Sequence, residues 1–146
     1  MKHAMSMLID KTVHTPEQME ALAAELAAVC WGGAVILLTG DLGVGKTTFS
    51  RGFLHAKGHA GNVKSPTYNI VESYALPTLT VHHFDLYRLK DPTELELMGW
   101  RDYFNPQSIC LIEWPQLVQA QLPAFAITVD IQIVSADIRR VVVSQH

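Results

Sequence analysis

The sequence predicts an α/β fold, with a mixed central sheet and helices on both of its faces. Three observations carry this expectation. The short apolar runs 34–39 and 109–112 read as strands buried on both sides, which requires helices packed above and below them. Stretches with apolar residues at helical spacing lie between the strand runs. Two pairs of extended runs, 68–74 with 79–85 and 125–133 with 138–144, read as hairpins, so the sheet is mixed rather than purely parallel.

Taken in order, residues 8–14 form a short first strand. A helix follows, with Thr15 as cap, Pro16 at the first helical position and Gln18 where a capping box places it. Met19, Leu22, Ala23, Leu26, Val29 and Cys30 form its apolar face, and Gly32-Gly33 ends it. The strand 34–39 runs directly into a glycine-rich loop. Residues 46–57 read as the next helix, with Phe49, Phe53, Leu54 and Ala56 as apolar positions and Gly58 as stop. The extended run containing Tyr68, Ile70, Glu72 and Tyr74 turns at 75–78 into the strand 79–85. Asp91-Pro92-Thr93-Glu94 is a second capping box, opening a helix that ends at Gly99. The strand 109–112 ends at Glu113, and Ser135-Ala136-Asp137 is the turn of the last hairpin.

The bulk numbers fit one folded domain spanning 1–146. The chain is 49% hydrophobic and 17% charged, which excludes a disordered protein. A net charge of -3 argues against gripping nucleic acid alone through a broad basic face. Cys30 and Cys110 lie in apolar stretches outside any metal-ligand spacing and read as buried free thiols of a reducing compartment. Residues 1–7 carry no signal-peptide pattern and no apolar run spans a membrane, so the expected location is cytoplasmic.

The chemistry concentrates in Gly40-Asp41-Leu42-Gly43-Val44-Gly45-Lys46-Thr47. Glycines let the backbone curl so that several N–H groups point at phosphate oxygens. Lys46 reaches the β- and γ-phosphates, Thr47 supplies a hydroxyl to Mg²⁺, and the helix beginning there adds its positive dipole end. The loop follows a strand and opens a helix, the context such a motif needs. The fold expected is therefore a three-layer fold like that of P-loop NTPases. An acid at the C-terminal end of a buried strand must serve the metal and the water. Asp85 and Glu113 both qualify, one to hold the ion directly or through water, the other to orient the attacking water. Ser65 and Thr67 flank Pro66 in 63–68, a segment able to sense a γ-phosphate, or simply a proline turn into a strand. His82 and His83 precede Asp85, and one of them faces the core or a neighbouring strand.

Four motifs then stand in order: 40–48, Val-Lys-Ser-Pro-Thr-Tyr at 63–68, His-Phe-Asp-Leu-Tyr-Arg at 83–88, and Ile-Glu-Trp-Pro at 112–115, with Glu94-Leu95-Glu96 and Gly99 between the last two. This ensemble, over about 15–123, resembles the bacterial TsaE (YjeE) family of ATPases in tRNA threonylcarbamoyladenosine biosynthesis. The resemblance implies an ATP hydrolase, slow alone, that supports N6-threonylcarbamoylation of adenosine 37 in tRNAs reading ANN codons. It implies a TsaB-TsaD heterodimer as partner, with the transferase site in TsaD and tRNA met through the complex. It implies ATP or ADP bound by Asp41, Leu42, Gly43, Val44, Gly45, Lys46, Thr47 and Thr48, with Thr15 and Glu17 near the adenine. Thr47 and Glu113 would hold Mg²⁺, Asp85 and Lys46 would serve hydrolysis, Ser65 and Thr67 would form a switch-like segment, and Trp114 would lie close by. Val44 replaces the commoner alanine of the loop, and the tail beyond Pro123 follows no pattern of the family.

Three other classes share the loop. A small-molecule kinase needs an arginine-bearing lid, for which only Arg88 and Arg101 lie between the two acids. A GTPase needs an Asn-Lys-x-Asp run, which is absent. A binding module would hold nucleotide without turning it over.

Overall fold

The computed structural model describes residues 6–41, 43–66, 68–123 and 126–145. Seven strands form one sheet: β1 (Ser6–Val13), β2 (Val35–Thr39), β3 (Val71–Ala75), β4 (Thr80–Asp85), β5 (Ser108–Glu113), β6 (Ile127–Ile133) and β7 (Arg139–Gln145). Their order is β1-β7-β6-β2-β5-β4-β3. The centre is parallel, β2 pairing with β5 and β6, and β4 with β5. The margins are antiparallel hairpins, β3–β4 and β6–β7, with β1 added beside β7. The sheet is thus mixed for the reason the hairpin runs suggested.

The helices are α1 (Pro16–Ala27), α2 (Lys46–Ala56) and α3 (Thr93–Met98), with 3-10 turns at Trp100–Tyr103 and Pro115–Gln121. On one face α1 and α2 bury Leu22, Leu26, Phe49 and Phe53 against Ile36, Leu38, Ile109 and Leu111. On the other, Leu95, Trp100 and Val118 cover Val35, Leu37, Phe84 and Ile112. Alternate residues of β2 and β5 feed the two cores, which is why both strands read as unbroken apolar runs. Both cysteines are buried free thiols, and burial pushes Cys30 up to about 11 and Cys110 up to about 12.

Three local expectations needed correction. Val29 is 68% exposed, because α1 ends at Ala27 and a tight turn, Cys30 N–H to Ala27 O, tucks Cys30 inward instead. Ala56 is exposed at the end of α2. The run 68–74 becomes a strand only at Val71, since Ile70 adopts φ 66° and Val71 N–H closes a three-residue turn on Asn69 O.

Candidate phosphate and metal site

The loop after β2 is bent by glycines where no side chain fits. Gly40 has φ 135°, and a Cβ there would lie 2.5 Å from Ile131 O. Gly45 has φ 116° and caps α2 without any side-chain hydrogen bond to its first turn. The contrast with α1 is direct: there Thr15 Oγ1 accepts from Gln18 N–H at 3.1 Å, and the Gln18 side chain accepts from His14 N–H. One helix start is closed by its own residues and the other has no side-chain cap, the kind of start that suits an anion.

Lys46 opens α2, is 5% exposed, and donates to Gly40 O at 2.7 Å. Its ammonium lies 3.5 Å from the ring centroid of Trp114. Burial holds its pKa below the usual lysine range, and Glu113, Asp85 and Asp41 pull it part of the way back. Trp114 has φ 57°, an uncommon conformation for a bulky residue, as the chain leaves β5 for Pro115; Tyr87 packs on its ring.

The two acids are paired in register, Asp85 opposite Glu113 at the C-terminal ends of β4 and β5. Glu113 is buried, and its Oε2 lies 2.5 Å from His83 Nε2. His83 Nδ1 is buried with no hydrogen-bond partner among the described residues. With Nδ1 unpartnered, the contact is satisfied by Nε2–H donating to the Glu113 carboxylate. Asp85 is half-buried, and its Oδ1 accepts from Tyr87 N–H at 3.0 Å.

A cleft of about 290 Å³ gathers Gly43, Gly45, Lys46, Thr47, Thr48, Ser65, Asp85, Glu113 and Trp114. A second cleft, of about 320 Å³, shares Gly43, Gly45 and Thr48 with it and reaches Thr15, Glu17 and Met19. Phosphate-side and base-side candidates from distant segments thus meet across the loop. Asp41 is exposed and lines neither cleft, and Val44 turns its side chain into the core. Leu42 and Thr67 lie outside the described residues. Among the described residues no three His, Cys, Asp or Glu side chains gather around one point. That donor set fits a Mg²⁺ held by one or two carboxylates, a hydroxyl and the ligand's own phosphates, and does not fit a protein-only cage.

Sequence reasoning missed two contributors. One of His82 and His83 was expected to face the core or a neighbouring strand; that residue is His83, and its pairing with Glu113 needs the β4–β5 register to be seen. Ala136, Asp137 and Arg139 line the second cleft from the last hairpin, whose turn was read from the sequence but whose place beside the loop was not.

An uncapped helix start behind a glycine loop, at the C-terminal edge of a mixed sheet and facing two strand-end acids, defines an α/β protein of the P-loop class. The family model described as "Threonylcarbamoyl adenosine biosynthesis protein TsaE" matches residues 13–142, and the chain belongs to that family. It is 59% identical to the tRNA threonylcarbamoyladenosine biosynthesis protein TsaE of Haemophilus influenzae over 97 residues, 66% of this chain and 61% of that protein. It is 39% identical to the Bacillus subtilis protein of the same name over 137 residues, 94% of this chain and 85% of the relative. The crystal structure of Bacillus subtilis YdiB superposes with a TM-score of 0.83 at 32% identity, over 99% of this chain and 88% of that one. Among the described residues no helix is long and apolar enough to cross a membrane.

Proposed function

We propose that this chain is a single-domain, cytoplasmic, Mg²⁺-dependent ATPase required for N6-threonylcarbamoylation of adenosine 37 in tRNAs reading ANN codons. In this reading it acts with the TsaB-TsaD heterodimer, meets tRNA through that complex, and is not itself the transferase. The observation that carries it is the convergence of Lys46, Thr47, Ser65, Asp85 and Glu113 on one cleft around an uncapped helix start.

The glycine loop and the first turn of α2 bind the phosphates through backbone N–H groups. Lys46 is already desolvated, so its charge acts on the phosphates at a lower dielectric than water offers. Thr47 and Glu113 would hold Mg²⁺, which would supply positive charge against the negative charge developing on the phosphoryl group. Glu113 suits that duty because His83 fixes one of its oxygens and so the direction of the other. Asp85, one strand over and open to the cleft, orients the attacking water. Thr15 and Glu17 shape the base end of the second cleft, and Ser65 with Thr67 forms the segment that senses the γ-phosphate. Trp114, seated on Lys46, must share that ammonium with an arriving phosphate.

The test is phosphate release from ATP, with and without the two partner proteins, alongside tRNA modification in the reconstituted system. The expected result is slow release alone, faster release with partners, and loss of both activities in Glu113→Ala. Modification that persists in Glu113→Ala and Asp85→Ala would leave only nucleotide binding.

A further inference from the structure

We propose that Arg139 is a positioning residue of the phosphate loop, acting through the backbone of Val44; the inference rests on the nucleotide reading of that loop. Arg139 opens β7, 95 positions after Val44, yet its Nε donates to Val44 O at 3.1 Å. Its Nη1 donates to Ser135 O at 2.9 Å, Ala136 O at 3.1 Å and Ile138 O at 3.2 Å. The guanidinium is therefore locked into the β6–β7 turn and offers one further donor to the loop. Arginine suits this task, having a fixed fork of donors and a charge it does not lose.

The consequence follows from peptide geometry. The described chain has no cis peptide bond, so the Val44 carbonyl and the Gly45 N–H point in opposite directions. Holding the carbonyl toward Arg139 turns the Gly45 N–H away from it, and Gly45 lines the phosphate cleft whereas Arg139 lines only the second one. Without the guanidinium, a loop with glycines at 43 and 45 is free to flip that peptide. The rest of the hairpin braces the start of the same loop. Thr39 Oγ1 donates to Asp130 Oδ1 at 2.8 Å, and the backbone of Ile131 crowds Gly40 too closely for any Cβ. The last hairpin thus holds the phosphate loop at Gly40 and at Val44.

Calorimetric titration of wild type, Arg139→Gln and Arg139→Lys with Mg²⁺-ADP and with Mg²⁺-tripolyphosphate tests this, with a thermal melt of each variant. Because the defect lies in a phosphate-facing N–H, Arg139→Gln is expected to weaken ADP and tripolyphosphate alike, by about tenfold. Arg139→Lys keeps the charge without the fork and is expected to weaken both several-fold. Wild-type affinity in Arg139→Gln would overturn the proposal, as would a loss confined to ADP, which would assign Arg139 to the base. Full affinity in Arg139→Lys would also overturn it, since charge alone would then suffice. If Arg139→Gln melts below the assay temperature, the lysine variant decides. A wild type that binds neither ligand overturns the nucleotide reading itself, and this inference with it.

Discussion

Asp85 and Glu113 face each other in register on neighbouring parallel strands, yet they occupy different environments. Glu113 is buried and tied to His83, a side chain with no exposure of its own. Asp85 is half-buried and spends one oxygen on the turn that leaves β4. Equal position along the strands does not give equal chemistry. A carboxylate held from behind is a rigid ligand, whereas one anchored at a strand exit keeps contact with solvent. In the function proposed above, this difference is the reason the metal is given to Glu113 and the water to Asp85.

The largest expected effect is on turnover. Removing either acid is expected to lower ATP hydrolysis in the partner complex by roughly 100-fold or more, the usual cost of losing one preorganised electrostatic group. Steady-state phosphate release measures it. Undiminished turnover in Asp85→Ala would break the comparison from one side.

Stability separates the two acids next. Glu113→Leu strands the buried His83 N–H without an acceptor and is expected to cost about 1–3 kcal/mol in urea unfolding. Glu113→Gln keeps an acceptor oxygen and should cost less. Asp85→Asn, which still accepts from Tyr87 N–H, should cost under about 1 kcal/mol. Equal losses in Glu113→Leu and Asp85→Asn would show that the His83 contact contributes nothing.

The smallest effect is read at Lys46. Glu113 outranks Asp85 among the charges that raise its pKa against burial. Glu113→Gln should therefore push the Lys46 pKa further down than Asp85→Asn does, as followed by NMR of the lysine side chain. The sign for stability follows. Native Lys46 loses its proton before the unfolded lysine does, so between the lowered value and the ordinary 10.5 the unfolded chain binds more protons. Stability from this group rises with pH through that window, and Lys46→Met should remove the rise.

What was legible in the sequence was local. The phosphate loop is a contiguous pattern, and its strand and helix neighbours carry apolar periodicities that survive tertiary packing. Thr15 and Gln18 cap α1 as their spacing required. The two acids were visible because each ends a run that reads as a strand. What was not legible depends on register or on turns with no composition signal. Val29 continues the helical period of α1 but lies beyond its last turn, so spacing alone misplaced it. The His83–Glu113 pair spans 30 positions and the Arg139–Val44 contact 95, and both exist only once the sheet has fixed which strands adjoin. The division of labour proposed for the acids belongs to the same category, since it rests on their different burial.

The most direct test of the account is the Mg²⁺ dependence of ADP affinity in wild type, Glu113→Gln and Asp85→Asn. Mg²⁺ is expected to tighten ADP binding in wild type and in Asp85→Asn, and Glu113→Gln to lose most of this gain while binding metal-free ADP normally. A variant pair behaving the other way round, with the gain lost in Asp85→Asn and kept in Glu113→Gln, would contradict it.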